Sequence, residues 1–313
     1  MKLQTLIMAG AALIATATTA FAQAPAPQRE ITQIKGDVYN FRNIGHNAVF
    51  MVTKAGIVLI DTIDAEAAKW LKAEIKKTFN VPVKYVAYSH DHPDHSSGGE
   101  VFTDTATIVG HQRTKEVIIA EKRPTAVPSV TFTDKMTIEL GGKTVELLYV
   151  GRNHSDNTVV AHFPAEKIIF TVDWIPVQGL PFRDMNDTYF EEWIDGLKRA
   201  EQMDFDILAP GHGRLGNKND VRAFRGYMED LQMATLQAVR AGKSVEQAKA
   251  EITLEKYKEW GAYQAFRPFN IEFMYGHVKS HWRPREKPLA AERGSAAART
   301  GGRSAQGQLT RGN

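Results

Sequence analysis

The sequence of 313 residues contains no cysteine. Disulfide bonds and thiolate metal ligands are therefore excluded, and any metal site has to use histidine and carboxylate side chains. A chain without disulfides fits an exported protein that is stabilised by its hydrophobic core, although the same absence is compatible with the cytoplasm.

The chain also lacks a strong overall charge, since its formal net charge is only +3. Residues 286–313 contain five basic and two acidic residues, so this segment alone carries the same +3. The segment is rich in Ala, Gly, Ser and Arg and has no apolar periodicity, which predicts a disordered basic tail. Because aromatic residues are not interleaved with its arginines, we expect no nucleic-acid binding.

The N-terminal apolar stretch is too short to predict a membrane span. Residues 6–20 are apolar or small, but three threonines interrupt them, whereas a span needs about 20 predominantly apolar residues. Lys2 precedes this stretch, and an A-x-A cleavage signature ends at Ala22. The pattern predicts a signal peptide over residues 1–22 and a periplasmic or secreted protein, which begins with a flexible lead over residues 23–30.

The most informative segment reads His-Asp-His-Pro-Asp-His at residues 90–95. Imidazole nitrogens and carboxylate oxygens are zinc ligands, and a catalytic zinc keeps an open coordination position beside them. Residues 83–88 before the motif are predicted to form a buried strand. A tight turn after that strand can present His90 and His92 on one side and Asp94 and His95 on another.

Three further candidate ligands lie downstream in similar local settings. Each follows a short apolar run that ends in a polar or glycine-rich turn, and they are His154, Asp173 and His212. Loops at the ends of strands on a rigid scaffold are a common place for functional residues.

The order of these residues resembles the metallo-β-lactamase superfamily, whose pattern is His-x-His-x-Asp-His followed by a His, an Asp and a final His. All seven positions match, within a resemblance that covers roughly residues 31–220. The resemblance implies two zinc ions per chain. Their ligands would be His90, His92 and His154 for the first, Asp94, His95 and His212 for the second, and Asp173 as the bridge between them.

The resemblance extends to three other positions. Asp61 follows an apolar strand and is similar to the family's aspartate that supports the metal loop. His46 precedes a hairpin strand that in this family lies near the pocket mouth, so it is a candidate substrate contact. Val172 departs from the family, because many members place Gly before the bridging Asp, and we expect this to affect the backbone but not the ligand.

The alternation of apolar segments predicts an α/β fold with one domain over residues 31–285, and the resemblance implies that this is a metallo-β-lactamase-like hydrolase domain. Helices outside two packed sheets give a four-layered αβ/βα sandwich, which the resemblance also implies. The predicted helices cover residues 65–79, a segment capped at Asp187-Thr188 and ending at Met203, one capped at Asn219-Asp220 and ending near Ala241, a short one with a Ser244/Gln247 capping box, and residues 266–282 around Pro268.

Two zinc ions would supply a bridging hydroxide at neutral pH and polarise the bond under attack. The resemblance then implies a zinc-dependent hydrolase of small molecules, in which Asp94 orients the nucleophile and accepts its proton. Asp61 would act behind the ligands, because ligand orientation depends on such hydrogen bonds.

The residue at 173 bears on the substrate. Class B1 β-lactamases carry Cys there and class B3 enzymes lack a bridging Asp, so the ligand set is more similar to lactonases, thioesterases and phosphodiesterases. A carboxylic ester, lactone or thioester is favoured, and β-lactam hydrolysis is the alternative. Two other classes stay open, which are a non-heme iron dioxygenase and a non-catalytic binding protein on the same fold.

Overall fold

Two β-sheets pack face to face at the centre of the fold, and helices cover their outer surfaces. The computed structural model describes residues 28–281. The predicted signal peptide, most of the predicted lead and the predicted basic tail lie outside these residues. Within residues 28–281, no helix has the length and apolar character needed to cross a membrane.

The first sheet contains seven strands in sequential order. They are β1 (Arg29–Lys35), β2 (Val38–Asn43), β3 (His46–Thr53), β4 (Gly56–Ile60), β5 (Val83–Ala87), β6 (Thr107–His111) and β7 (Val130–Phe132). Strands β1 to β4 are antiparallel, and β4 to β7 are parallel. Strand β1 begins at Arg29, within the segment predicted as a flexible lead.

The second sheet contains five strands in the order β12-β11-β10-β9-β8. They are β8 (Lys135–Leu140), β9 (Lys143–Tyr149), β10 (Val159–Phe163), β11 (Ile168–Val172) and β12 (Ile207–Pro210). Only β11 and β12 pair in parallel, because α4 (Phe190–Ala200) connects them. Their carboxyl ends therefore lie at the same edge.

Strand β4 shows that the first sheet is covered on both faces, because all five residues of this strand are buried. Side chains alternate between the two faces of a strand. Val58 and Ile60 belong to the core between the sheets, whereas Ile57 and Leu59 pack in the outer core with helix α1 (Ala65–Thr78). A strand that is apolar on both faces is covered on both, which accounts for its continuous apolar sequence.

The remaining helices complete the two outer layers. Besides α1 and α4 they are α2 (Pro93–Ser96), α3 (Gln112–Ala120), α5 (Lys218–Arg240), α6 (Val245–Glu251) and α7 (Tyr263–His281), with 3-10 helices at Gly99–Phe102 and Glu255–Tyr257. Helices α4 to α7 share one apolar cluster with Ile169 and Leu208 of the second sheet. The predicted four-layered sandwich is confirmed.

Some predicted helix ends were wrong. Helix α4 starts at Phe190 because Asp187, with a φ of 63°, cannot continue into a helix. Helix α5 is capped by Asn217, and Asp220 completes a capping box instead of acting as the cap. The predicted Ser244/Gln247 capping box is present at α6. Helix α7 accommodates Pro268 in its interior.

Candidate metal centre

The seven candidate ligands converge at one edge of the sandwich. The 90–95 motif follows β5 of the first sheet, and His154, Asp173 and His212 follow strands β9, β11 and β12 of the second. Because both sheets present these strand ends at the same edge, residues that are far apart in sequence meet in one site.

The first group of side chains contains three imidazoles and one carboxylate: His90, His92, His154 and Asp173. His154 Nε2 lies 3.1 Å from His92 Nδ1 and 3.6 Å from Asp173 Oδ2. His90 Nε2 is 3.9 Å from the same carboxylate oxygen. One nitrogen of each imidazole thus faces a common point.

The second group contains Asp94, His95, His212 and the same Asp173. His212 Nε2 lies 3.2 Å from His95 Nε2 and 3.2 Å from Asp173 Oδ1. Asp94 Oδ2 is 3.6 Å from His95 Nε2. The two oxygens of Asp173 therefore face different groups, which is the arrangement that a bridging ligand requires.

The donor atoms fit zinc in type and spacing. Two ligand atoms that are each about 2.0–2.1 Å from a tetrahedral zinc lie about 3.3 Å apart, close to the separations found in both groups. His90 Nε2 and Asp173 Oδ1 are also buried without a hydrogen bond to any part of residues 28–281. Buried polar atoms without a partner are costly, and a cation in each group would satisfy them.

The ionisation of His90, His154 and Asp173 suits metal binding. Burial lowers the pKa of His90 well below its ordinary value and that of His154 to about 4, so both imidazoles are neutral at pH 7. Burial alone would raise the pKa of Asp173, but the neighbouring His95 and His212 lower it well below the ordinary value. Neutral imidazoles and an ionised carboxylate are the forms that bind a metal. In the second group, contacts with Asp173 outweigh burial and raise the pKa values of His95 and His212, so metal binding there would release their protons.

Asp61 is completely buried behind the second group. Its carboxylate accepts hydrogen bonds from the Ser89 backbone N–H, at 2.8 Å, and from the Ser89 hydroxyl, at 2.6 Å. Its Oδ2 also lies 3.4 Å from His95 Nδ1. Asp61 adopts a φ of 67°, a left-handed conformation that aspartate tolerates better than most residues. It links strand β4 to the turn that carries the motif.

A family model described as the metallo-β-lactamase superfamily matches residues 42–212. The chain belongs to this superfamily. The matched region starts in strand β2 and ends at His212, so it contains all seven candidate ligands but none of helices α5 to α7. The resemblance predicted from the sequence is thereby confirmed.

Curated relatives and solved structures agree with this membership. The chain is 24% identical over 225 residues to the 2,4-dinitroanisole O-demethylase subunit alpha of Nocardioides sp., covering 70% of this chain and 68% of that protein. It is 28% identical over 204 residues to a type 2 metallo-β-lactamase of Elizabethkingia meningoseptica, covering 61% and 80%. The metallo-β-lactamase from Pontibacter korlensis superposes with a TM-score of 0.58 at 25% identity, covering 64% of this chain and 99% of that one.

Val172 is the position where many superfamily members carry glycine. It adopts a φ of 45° and is fully buried. This left-handed region favours glycine, and a β-branched residue there is strained. The chain therefore places a valine in a backbone conformation that favours glycine.

Sequence reasoning missed the residues that hold the motif from behind. Asp91, between the first two histidines, accepts hydrogen bonds at 2.7 Å from Arg123 Nη2 and at 2.7 Å from Asn157 Nδ2. Asn157 Oδ1 in turn accepts the Asp91 backbone N–H at 3.1 Å. The second carboxylate inside the motif was the available signal for this support, whereas nothing in the sequence pointed to Arg123.

Asn47 was also missed, and it ties the two sheets together at the site. Its side chain donates to the carbonyls of Pro210, at 3.0 Å, and Gly213, at 3.1 Å. These bonds fix the turn that carries His212 against the start of strand β3.

The same hydrogen bonds of Asn47 hold the neighbouring His46, the candidate substrate contact, beside His212. His46 Nε2 lies 3.4 Å from Asp94 Oδ2, and its ring centroid lies 4.8 Å from that of His212. Both His46 and Asp94 line a cavity of about 700 Å³ that opens over the two ligand groups. His111, His162, His277 and His281 do not line it.

We expect Asp91→Asn to lower the free energy of unfolding by about 2–4 kcal/mol, because it leaves the mostly buried Arg123 without its buried ionic partner, with only the exposed Glu121 remaining. We also expect metal affinity to fall about 10- to 100-fold, as is common when support behind the ligands is lost. Urea unfolding and a chelator competition titration measure the two effects.

The matched control is Glu121→Gln. Glu121 contacts the same guanidinium at 2.9 Å, but its side chain is 58% exposed, so the stability change should stay within about 0.5 kcal/mol. Equal losses in the two variants would contradict the assigned role of Asp91.

Proposed function

We propose that this chain is an exported zinc hydrolase that uses two metal ions to cleave a carboxylic ester, lactone or thioester in a small molecule. The observation that carries the proposal is the pair of ligand groups that share Asp173 through different oxygens. The cavity of about 700 Å³ above them is within the size range of small-molecule sites.

The proposed ligands of the first zinc are His90, His92 and His154, those of the second are Asp94, His95 and His212, and Asp173 contacts both. Bound zinc lowers the pKa of a water molecule to about 7 and polarises a carbonyl oxygen. The chain's own residues supply the binding, the orientation and the proton acceptor.

Asp94 is suited to a second role beside metal binding. Its side chain is 43% exposed, so it faces the cavity. Contacts with His212 and His46 outweigh the effect of burial and lower its pKa below the ordinary value, which keeps it ionised. In the proposed mechanism Asp94 orients the attacking water and accepts its proton, and Asp61 keeps His95 in position behind it.

The bond that is cleaved is proposed from the ligand set. Asp173 stands where class B1 β-lactamases have Cys, which favours esters, lactones and thioesters. Similarity to the β-lactamase of Elizabethkingia meningoseptica supports β-lactam hydrolysis as the second candidate. The Nocardioides relative is named for demethylation of 2,4-dinitroanisole, so aryl methyl ethers belong in the substrate panel.

We expect two zinc ions per chain in protein purified without chelator, because the two ligand groups face separate points and one ion would leave the other group without a metal. Elemental analysis by mass spectrometry measures the stoichiometry. One zinc per chain, unchanged on zinc addition, would contradict the dinuclear proposal, and one iron per chain would favour the dioxygenase alternative.

We expect Asp94→Asn to retain most of the metal but to lower kcat about 10²- to 10⁴-fold, because the amide cannot accept a proton. Asp173→Ala removes the shared ligand, so it should lose metal from the weaker site. Zinc content is measured beside activity on the best substrate of a panel of esters, lactones, thioesters, β-lactams and aryl ethers.

His162→Gln is the control for both variants, because His162 pairs with Glu146 outside the cavity and should keep both zinc and activity. Wild-type turnover in Asp94→Asn would refute the role proposed for this carboxylate.

Export is proposed from the sequence pattern of residues 1–22. We expect the mature chain to begin at Gln23, and intact-mass measurement of protein from the periplasm or the medium tests this. A cytoplasmic protein that retains Met1 would contradict the proposed location.

A further inference from the structure

We propose that the cavity selects substrates that are apolar and uncharged beside the scissile bond, and that Asp184 and Asp187 at its mouth disfavour anionic substrates. This inference rests on the proposed hydrolase function and names its substrate class. The cavity has an apolar wall that helix α7 holds in place, and the carboxylates of Asp184 and Asp187 line its mouth.

One wall of the cavity is apolar. It consists of Pro176, Leu180, Phe182, Met185, Trp193 and Phe266. Trp193 donates its indole N–H to the Trp174 carbonyl at 2.9 Å, so its polar atom is already satisfied. Its ring centroid lies 6.0 Å from that of His154. An apolar surface therefore borders the first ligand group, where the group beside the reacting bond would lie.

Phe182 is a largely exposed aromatic side chain at the rim of this wall. Its ring packs edge-on against Phe266 with a centroid distance of 5.4 Å, yet Phe182 remains 61% exposed. An exposed aromatic side chain at the rim of a cavity gains free energy when an apolar ligand covers it.

The wall is held in one conformation by helix α7. Asn270 is fully buried, and its amide donates to the carbonyls of Pro181, at 3.2 Å, and Arg183, at 2.6 Å. Its Oδ1 accepts the hydroxyl of Tyr227 at 2.7 Å. Because these bonds fix the segment before ligand arrives, the cost of ordering it on binding is low.

The charges at the mouth are negative and unbalanced. Among the described residues that line the cavity, none is Lys or Arg. Asp184 accepts a hydrogen bond from Asn186. Asp187 Oδ2 lies 3.9 Å from His92 Nε2, and His92 is a proposed metal ligand. Arg183 directly precedes Asp184 in sequence but places its guanidinium over the Phe269 ring, at 4.9 Å.

Within residues 28–281, an anionic substrate therefore meets no Lys or Arg side chain among the cavity residues and approaches two carboxylates. At separations of about 6–8 Å and intermediate dielectric, the two repulsions together correspond to about a five- to thirtyfold effect, which salt reduces. A neutral ester, thioester or lactone with an alkyl or aryl group escapes this effect and covers the apolar wall.

The test compares two aryl esters of matched shape, 4-nitrophenyl valerate and mono-4-nitrophenyl glutarate, which differ in a terminal methyl or carboxylate. We expect the ratio of kcat/KM, neutral over anionic, to fall about five- to thirtyfold in the double variant Asp184→Asn/Asp187→Asn at low ionic strength. Added salt should lower the ratio in the wild type but not in the double variant. Taking the ratio between variants cancels the attraction of the metal ions for the carboxylate.

Asp195→Asn is the matched control, because it removes one carboxylate from α4 outside the cavity, where Asp195 pairs with Lys198. It should leave the ratio unchanged. Phe182→Ala should lower kcat/KM for the neutral ester about tenfold through the lost apolar contact, whereas Ile119→Ala, an equally exposed apolar site on α3, should not. Zinc content is measured in every variant.

A binding measurement separates this inference from the hydrolase proposal. Calorimetry with 4-phenylbutyramide and 4-phenylbutyrate gives the same neutral-to-anionic ratio without any reaction. If no ester, lactone, thioester or β-lactam of the panel is cleaved, the hydrolase proposal fails, while the affinity ratio still decides the inference. A ratio that the double variant leaves unchanged, in hydrolysis or in binding, would overturn the inference.

Discussion

The contact between His95 and Asp173 joins the two sheets at the point where the site is built. His95 follows a strand of the first sheet and Asp173 follows a strand of the second, and their side chains lie 3.3 Å apart. His95 is fully buried and Asp173 is mostly buried, so each charge needs a partner within the protein or on a bound ion. The remaining candidate ligands are arranged around this pair, and the hydrogen bonds of Asn47 across the same junction keep the sheets in register there.

The site contains strained backbone and buried polar atoms without hydrogen-bond partners among residues 28–281. Val172 and Asp61 both adopt positive φ values, and buried nitrogen and oxygen atoms of the ligand groups lack hydrogen bonds within residues 28–281. Such features persist when the surrounding structure over-determines them. Here the apolar core between the sheets and the buried network of Asp91, Arg123 and Asn157 supply that constraint. Metal binding to such a centre adds to stability because it stabilises only the folded chain.

The ligand groups and part of the cavity wall come from different regions of the sequence. The region shared with the superfamily ends at His212, whereas Phe266 and Asn270, which form or hold the wall, belong to helix α7. Similarity to known enzymes therefore informs the chemistry at the ligand groups more than the choice of substrate. Loops and appended helices on a common scaffold can change specificity without disturbing the centre.

Local patterns in the sequence predicted the candidate ligands and their order, and they were sufficient for most strands and helices, because each of these patterns depends on neighbouring residues. The motif at 90–95 and the apolar runs before His154, Asp173 and His212 are examples. The ends of helix α4 and the cap of α5 were misplaced, because the left-handed backbone at Asp187 and the bond made by Asn217 are not visible in composition alone. Only the tertiary structure decided which oxygen of Asp173 faces which group, that Asp91 turns away to Arg123, and that Asn270 holds the wall. The contacts of Asp91 with Arg123 and of Asn270 with Pro181 join residues 32 and 89 positions apart, and their geometry follows from how the sheets and helices pack.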